Sequence, residues 1–328
     1  ITLDPALGPL VISDSVSILG PGADQLSIQK DPAEVFRLVN ITSTATDVIL
    51  SDLTFTGGNA GTEDGGAIHS DSGGNLVVVR SEIDNSTAAS GGAIATVGGT
   101  VAVAASTLAG NMATVNGGAI AATGTATSVV LVDSTVSSNA ASLAGGGIYS
   151  ENADVEVTNS TVTLNTAGTT GGGVGLLADG GGESLNVDNS IIAGNTANDG
   201  HDFNAPVGPG NLDVDFSLIG NNNGTTLTES TLNNDQPVPD ASGNLIGGGA
   251  NPVIDPMLGA LASNGGPTMT HELLQGSPAI DSGSLALLTA DTYDVDADNN
   301  QAEFLPTDQR GATRVVGNLD MGAVELAP

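Results

Sequence analysis

Apolar residues in this chain alternate with small or polar ones over short runs, and each run breaks at a turn. "VAVAASTL" from Val101 and "VEVTNSTV" from Val155 set the form, which is apolar-x-apolar-x-x-Ser-x-apolar. "LVVVRSEI" from Leu76, "VVLVDSTV" from Val129, "LNVDNSII" from Leu185 and "LDVDFSLI" from Leu212 follow it. "VILSDLTF" from Val48 follows it with Leu53 in the serine slot. A period of two marks strands with one buried face, not helices.

A second word punctuates these runs: a glycine pair, a small residue and a β-branched one. It falls at Gly65 and Gly66, Gly91 and Gly92, Gly117 and Gly118, Gly145 and Gly146, and Gly171 and Gly172. The steps between first glycines are 26, 26, 28 and 26 residues. Six residues before each pair stands an asparagine: Asn59, Asn85, Asn111, Asn139 and Asn165. Asn195 continues the series, with His201 in place of a glycine. Short strands repeating at a fixed period of this length define a solenoid. The pattern predicts an all-β chain, a single-stranded right-handed parallel β-helix with three short strands per coil of about 26 residues.

Each column then has a physical reason. The first glycines mark a corner that needs positive φ, which glycine adopts at least cost. The next slot is small because neighbouring coils crowd it. The β-branched slot (Ile68, Ile94, Ile120, Ile148, Val174) points inward and stacks on its equivalents. The asparagines form a structural ladder at another corner, their side chains turned into the bend.

Three regions follow. Residues 1–58 read as first coils and 59–222 as regular coils. Residues 223–328 read as looser coils ending in a cap packed on the last coils, all in one continuous domain. Ten to twelve coils are expected, spanning about 50–60 Å. The opening "ITLDPALGPL" starts mid-pattern and reads as a piece of something longer. Its bare strand edge calls for a cover, and head-to-tail self-association would supply one.

Composition narrows the function. There are 37 acids and 5 bases, for a formal net charge of −32. Such a surface repels phosphate backbones and anionic lipid, which argues against nucleic-acid and membrane-surface partners, and it attracts divalent cations. No apolar run is long enough for a membrane span. There is no Cys, so disulfides and thiolate chemistry are excluded.

The Asn-x5-Gly-Gly-Ala-Ile coils resemble the polymorphic outer membrane protein repeat of bacterial surface β-helices. The words "DPMLGALASNGGPTMTHELLQGSPAID", "TDQRGATR" and "DMGAVE" resemble the choice-of-anchor Q domain. The resemblance covers nearly the whole chain. It implies an exported bacterial protein and carries over no catalytic residue. The expected function is structural or adhesive and non-catalytic: a stalk, an adhesin or a matrix or filament subunit at the cell surface or outside the cell. A surface glycan or protein receptor is the expected partner. The alternative is a polysaccharide-acting lyase or hydrolase, or a glycan-binding module.

Candidate chemistry is sparse. Arg80 is the one base in the regular coils, and its stack equivalents Ala105, Asp133, Asn159 and Asn189 form no lyase-like cluster. Asp133 and Asp188 read as outward carboxylates two coils apart, permissive for a hydrolase pair. Thr107, Thr135 and Thr161 read as an outward row, too short for an ice-binding array. His69, His201 and His271 read as surface or turn residues. No cofactor is required. The one metal candidate is calcium in "DTYDVDADNNQAEF", held by Asp294, Asp296, Asp298 and Glu303 in an Asp-x-Asp-x-Asp loop.

Overall fold

The computed structural model describes residues 1–326 except 43, 44, 46, 72, 178–182, 206–210, 235, 315 and 316. Part of the glycine- and proline-rich insertion after Phe203 therefore lies outside the described residues. The chain is all-β, wound as a parallel solenoid of about nine turns with roughly 27 residues per turn. At one strand spacing per turn the rod is about 43 Å long. The expected ten to twelve coils were too many, because the last strand of the stack is Leu245–Ile246 and the chain beyond it leaves the coil. No described helix is long and apolar enough to cross a membrane.

One sheet of ten strands runs from Thr2–Leu3 to Leu245–Ile246. A second sheet of 14 strands carries the other two strands of each coil, which fuse into the long strands Ile94–Ala104 and Ile120–Val132. Beyond the three strands expected per coil, four coils add a two-residue strand: Thr87–Ala88, Met112–Ala113, Ala140–Ala141 and Thr166–Ala167. Register is strict, so like residues stack: Ile68, Ile94, Ile120, Ile148, Val174 and Phe203 form one fully buried column. With Val, Ile and Leu in nearly every inward slot, adjacent coils bury the same shapes against each other, and the core needs few aromatics.

The glycine pair divides its work. Gly91, Gly117 and Gly145 have φ of +64, +67 and +66, the left-handed region open to glycine. The second glycine is needed for space, because a Cβ on Gly92 would lie 2.3 Å from the Gly118 carbonyl of the next coil. The small third slot faces the asparagine column: a Cβ on Gly173 would lie 2.9 Å from the Asn195 amide nitrogen.

That column is a buried ladder. The backbone N–H and side-chain amide of Asn111 both donate to Asn139 Oδ1, at 2.9 and 3.0 Å. Asn139 does the same to Asn165, and Asn165 to Asn195. Each amide also donates to a carbonyl of the coil before, Ile83, Leu108, Val136 and Val162 in turn. Asn59 and Asn85 do not belong to it, which corrects the six-residue rule. The ladder slot in this coil lies five residues before Gly91 rather than six, so Ser86 takes it and donates its N–H to Asn111 Oδ1. Gly58 fills the slot one coil earlier, donating to Ser86 Oγ. Asn85 aligns with Gly110, and both are left-handed, at φ 50 and 65. Asn59 instead accepts from the Gly61 N–H in a local turn.

A second ladder lies at the other corner. Ser81, Ser106, Ser134, Ser160, Ser190 and Ser217 are all fully buried. Each N–H donates to the Oγ one coil on, at 3.0–3.2 Å. Ser217 ends the row on Asn244 Oδ1. Each Oγ donates back to the carbonyl two residues earlier, as Ser134 does to Val132 at 2.8 Å.

Asn139→Leu strips partners from the buried Asn111 N–H and Leu108 carbonyl, at about 1–3 kcal/mol for each orphaned group. Asn85→Gly keeps the left-handed turn and stays within about 0.5 kcal/mol of the parent. Denaturant unfolding of the two variants checks this contrast. Equal losses would contradict the ladder assignment.

Candidate functional site

The residue before each corner serine, and Asp52 before Leu53 in the same slot, is left-handed: Asp52, Arg80, Ala105, Asp133, Asn159, Asn189 and Phe216, with φ of 46–59. This conformation turns the side chain out of the coil and leaves a seam along the flank. The C-terminal segment lies on that seam. The segment packs on the last coils at Leu218 and Leu245 and also runs back along the side of the rod, from the Asn189 rung to the Arg80 rung.

Its grip is made by named residues. Ser284 and Asn189 exchange two hydrogen bonds, at 2.7 and 3.0 Å, and Gly322 N–H donates to the Asn189 carbonyl. Arg314 is fully buried, 3.1 Å from the fully buried Asp133, and donates to the Gly322 carbonyl at 2.8 Å. Gln309 accepts from Thr135 Oγ1 at 2.6 Å and donates to Thr107 Oγ1 at 2.8 Å. Ala323 N–H donates to Thr161 Oγ1. Arg80 pairs with Asp52 and donates to the Asp294 carbonyl. Apolar cover comes from Val295 and Leu305 over Val79, Ala104 and Val132, and from Leu273, Ala279 and Met321 over Ile191 and Leu218.

Several sequence expectations are corrected here. Thr107, Thr135 and Thr161 do point out of the coil, but the segment buries all three. Asp133 and Asp188 are not one pair: Asp188 stacks on Thr158 and Val132, while Asp133 is a corner residue under Arg314. Burial pushes the Asp133 carboxyl up to about 7, against the pull of Arg314. Asp188 is raised to about 6 by burial and then by Asp215, Asp213 and Glu156. His271 is no surface residue. It is buried, donates from Nδ1 to the Gly259 carbonyl at 2.7 Å, and accepts at Nε2 from Ser137 Oγ at 2.8 Å. Burial lowers its pKa, in keeping with this neutral form. His69 is half-buried on the strand Ile68–Ser70, and His201 accepts from the Ala197 N–H in a turn.

The structure brings the predicted calcium residues together and adds one. Carboxylate oxygens of Asp294, Asp296 and Asp298 lie within 4.8 Å of one another, as do those of Asp291, Asp296 and Glu303. Asp296 is common to both groups. Asp291 precedes the alternating run by three residues and was missed. It is fully buried and accepts from the Val295 N–H at 2.9 Å. Asn299 N–H closes the loop on Asp294 Oδ1. Burial raises the Asp291 and Glu303 carboxyls, with further repulsion from the neighbouring acids. All donors are hard oxygens in mutual repulsion, a set that fits a divalent cation such as calcium.

Two more acids escaped sequence reasoning. Asp202 occupies the small slot after Gly200 and His201 and ends the asparagine ladder, accepting both Asn195 N–H groups at Oδ1 and the Asn221 N–H at Oδ2. Burial raises its carboxyl to about 7 against those bonds. Glu82, facing outward, is raised to about 7 by burial and then by Asp84 on the same strand.

No protein-family model matches the chain, and neither does any curated protein or solved structure.

Arg314→Met strands a buried carboxylate and costs about 3–5 kcal/mol. Adding Asp133→Leu restores most of that loss, because an apolar pair of like volume can replace a buried ion pair. Thermal unfolding of the single and double variants checks it. A double variant as unstable as the single one would contradict the pairing.

Proposed function

We propose that this chain forms the rod of an exported bacterial surface protein, structural or adhesive and non-catalytic. The observation that carries this reading is the continuous stack of about nine turns, bonded through its corners and strapped along one flank. Parallel strand pairing continued from coil to coil suits a spacer that holds something away from a surface. The bacterial-surface half of the reading rests on the likeness of the glycine–asparagine coils to outer membrane protein repeats and of the gripping words to an anchor domain. Those words, "TDQRGATR" and "DMGAVE", contain Gln309, Arg314, Gly322 and Ala323, the residues that hold the flank.

The surface charge supports an extracellular setting. All four arginines are paired with acids, and Lys30 is buried against the Asp31 carbonyl. The bases are thus committed internally, and the outer surface is acidic. Self-association remains a partner reading. Among the described residues, Val11 and Leu19 are exposed on Leu10–Ile12 and Val16–Leu19. At the far end the chain bonds back to its own last strand, with the Ser230 N–H donating to the Ile246 carbonyl. The alternative, a polysaccharide-acting enzyme, is favoured by the raised Glu82 beside Asp84.

Antibody labelling of intact cells of the producing organism tests the reading. Labelling without permeabilisation is expected. A signal that appears only after lysis would contradict it.

We propose calcium as the ion for Asp294, Asp296, Asp298 and Glu303, with Asp291. Ca²⁺ at one hundred times its dissociation constant should stabilise the fold by about 2.7 kcal/mol. Asp296→Ala, which removes the residue common to both groups, should abolish the gain. A melting curve unchanged by millimolar Ca²⁺ would exclude the site.

A further inference from the structure

The outer face of the second sheet carries two parallel rows, in register from coil to coil. One row is polar: Asp47, Asn75, Thr100 and Ser128. Two residues on, the other row is apolar: Ile49, Val77, Ala102 and Val130. Ala102, the smallest of the four, is fully buried. Tyr293, reaching in from the C-terminal segment, stands over this row as a wall. The first three rungs of the two rows, with Tyr293, enclose a groove of about 400 Å³ that runs from coil to coil.

Such a strip is not explained by packing. Apolar residues here face outward, and Ile49, Val77, Val130 and Tyr293 remain only partly covered. The polar row is ordered, with Asn75 donating to Asp47 at 2.9 Å and Thr100 and Ser128 hydroxyls 2.9 Å apart. An apolar floor, one aromatic wall and a file of fixed polar groups are the ingredients of a small-molecule site.

We propose that this groove binds an extended, neutral glycan lying along the rod, one sugar ring to each coil. The spacing carries the assignment. The rungs repeat at about 4.8 Å, close to the length of one pyranose ring in an extended chain. Each ring would lay its apolar face on Ile49, Val77 or the Tyr293 ring and turn its hydroxyls to the polar row. The three rungs that line the groove accommodate a short oligosaccharide, and beyond them the apolar row ends where Glu156 follows Val130. Charge selects the class. Asp47 stands at one end of the groove and Glu156 beside Tyr293 at the other, so uronic-acid or sulfated chains are repelled.

The proposal rests on the adhesive part of the reading above and supplies its ligand class. The test is titration of the full chain with cellotetraose, chitotetraose and mannotetraose, with tetragalacturonate as the anionic counterpart, followed by calorimetry and saturation-transfer NMR. At least one neutral probe binds, with contacts to Tyr293 and Val77, and the anionic probe does not. Tyr293→Ala weakens binding roughly tenfold or more, and Asn75→Ala weakens it as well. Melting curves confirm that both variants are folded. Failure of every neutral probe to bind overturns the proposal, as does binding indifferent to Tyr293→Ala or equal binding of tetragalacturonate. Those outcomes leave the antibody result untouched, so the glycan and surface-protein readings fall separately.

Discussion

A stacked coil must turn three or more times per turn without leaving a single buried amide unpaired. That constraint shapes everything else in this molecule. Straight strands satisfy it through the ladder between coils, but a corner breaks strand geometry just where water is excluded. The solution is to pass corner amides to side chains of the next coil. Serine serves one corner, with Oγ accepting from the coil before and donating within its own turn. Asparagine serves the other, with one oxygen accepting two N–H groups at once. The backbone also keeps its coil-to-coil bonds through the serine corner, as in Asp133 N–H to the Thr158 carbonyl. Those bonds offset the cost of holding seven non-glycine residues left-handed, about 1–2 kcal/mol each.

The same left-handed turn creates the flank. A residue at positive φ points its side chain away from the coil, so Arg80, Asp133, Asn159 and Asn189 form a file on the outside. The C-terminal segment reads that file with complementary groups: a carbonyl for Arg80, a guanidinium for Asp133, a paired N–H and carbonyl for Asn189. It also carries the acidic loop and Tyr293 onto the rod. The position of the candidate cation site and of the outer groove therefore both follow from the corner geometry, two steps removed.

The coil was legible because its causes are local and repeated. A Val-x-Val strand and a glycine pair recur every 26 residues or so, and each recurrence restates the same steric demand. Asn111, Asn139, Asn165 and Asn195 were legible for that reason. Asn59 and Asn85 misled because spacing counted from the glycines hides a change of length between the two corners, which the strand pairing of Asp84 with Ala109 exposes. The flank was not legible. Arg314 meets Asp133 across 181 positions of sequence, and nothing periodic announces such a contact. The acidic alternation at Asp294, Asp296 and Asp298 was visible, whereas Asp291 and the facing Glu303 come together only through the fold of the loop. Tyr293 lay unremarked in that same word, because its role depends on the sheet it covers.

The central claim is that the corners are as firmly bonded as the strands, and native-state hydrogen exchange tests it most directly. The backbone amides of Asn111, Asn139, Ser106 and Ser134 should exchange only with the same large opening free energy as those of Leu108 and Leu131 in the adjoining strands. Corner amides that exchange at the rates of surface loops, while the strands stay protected, would contradict the account.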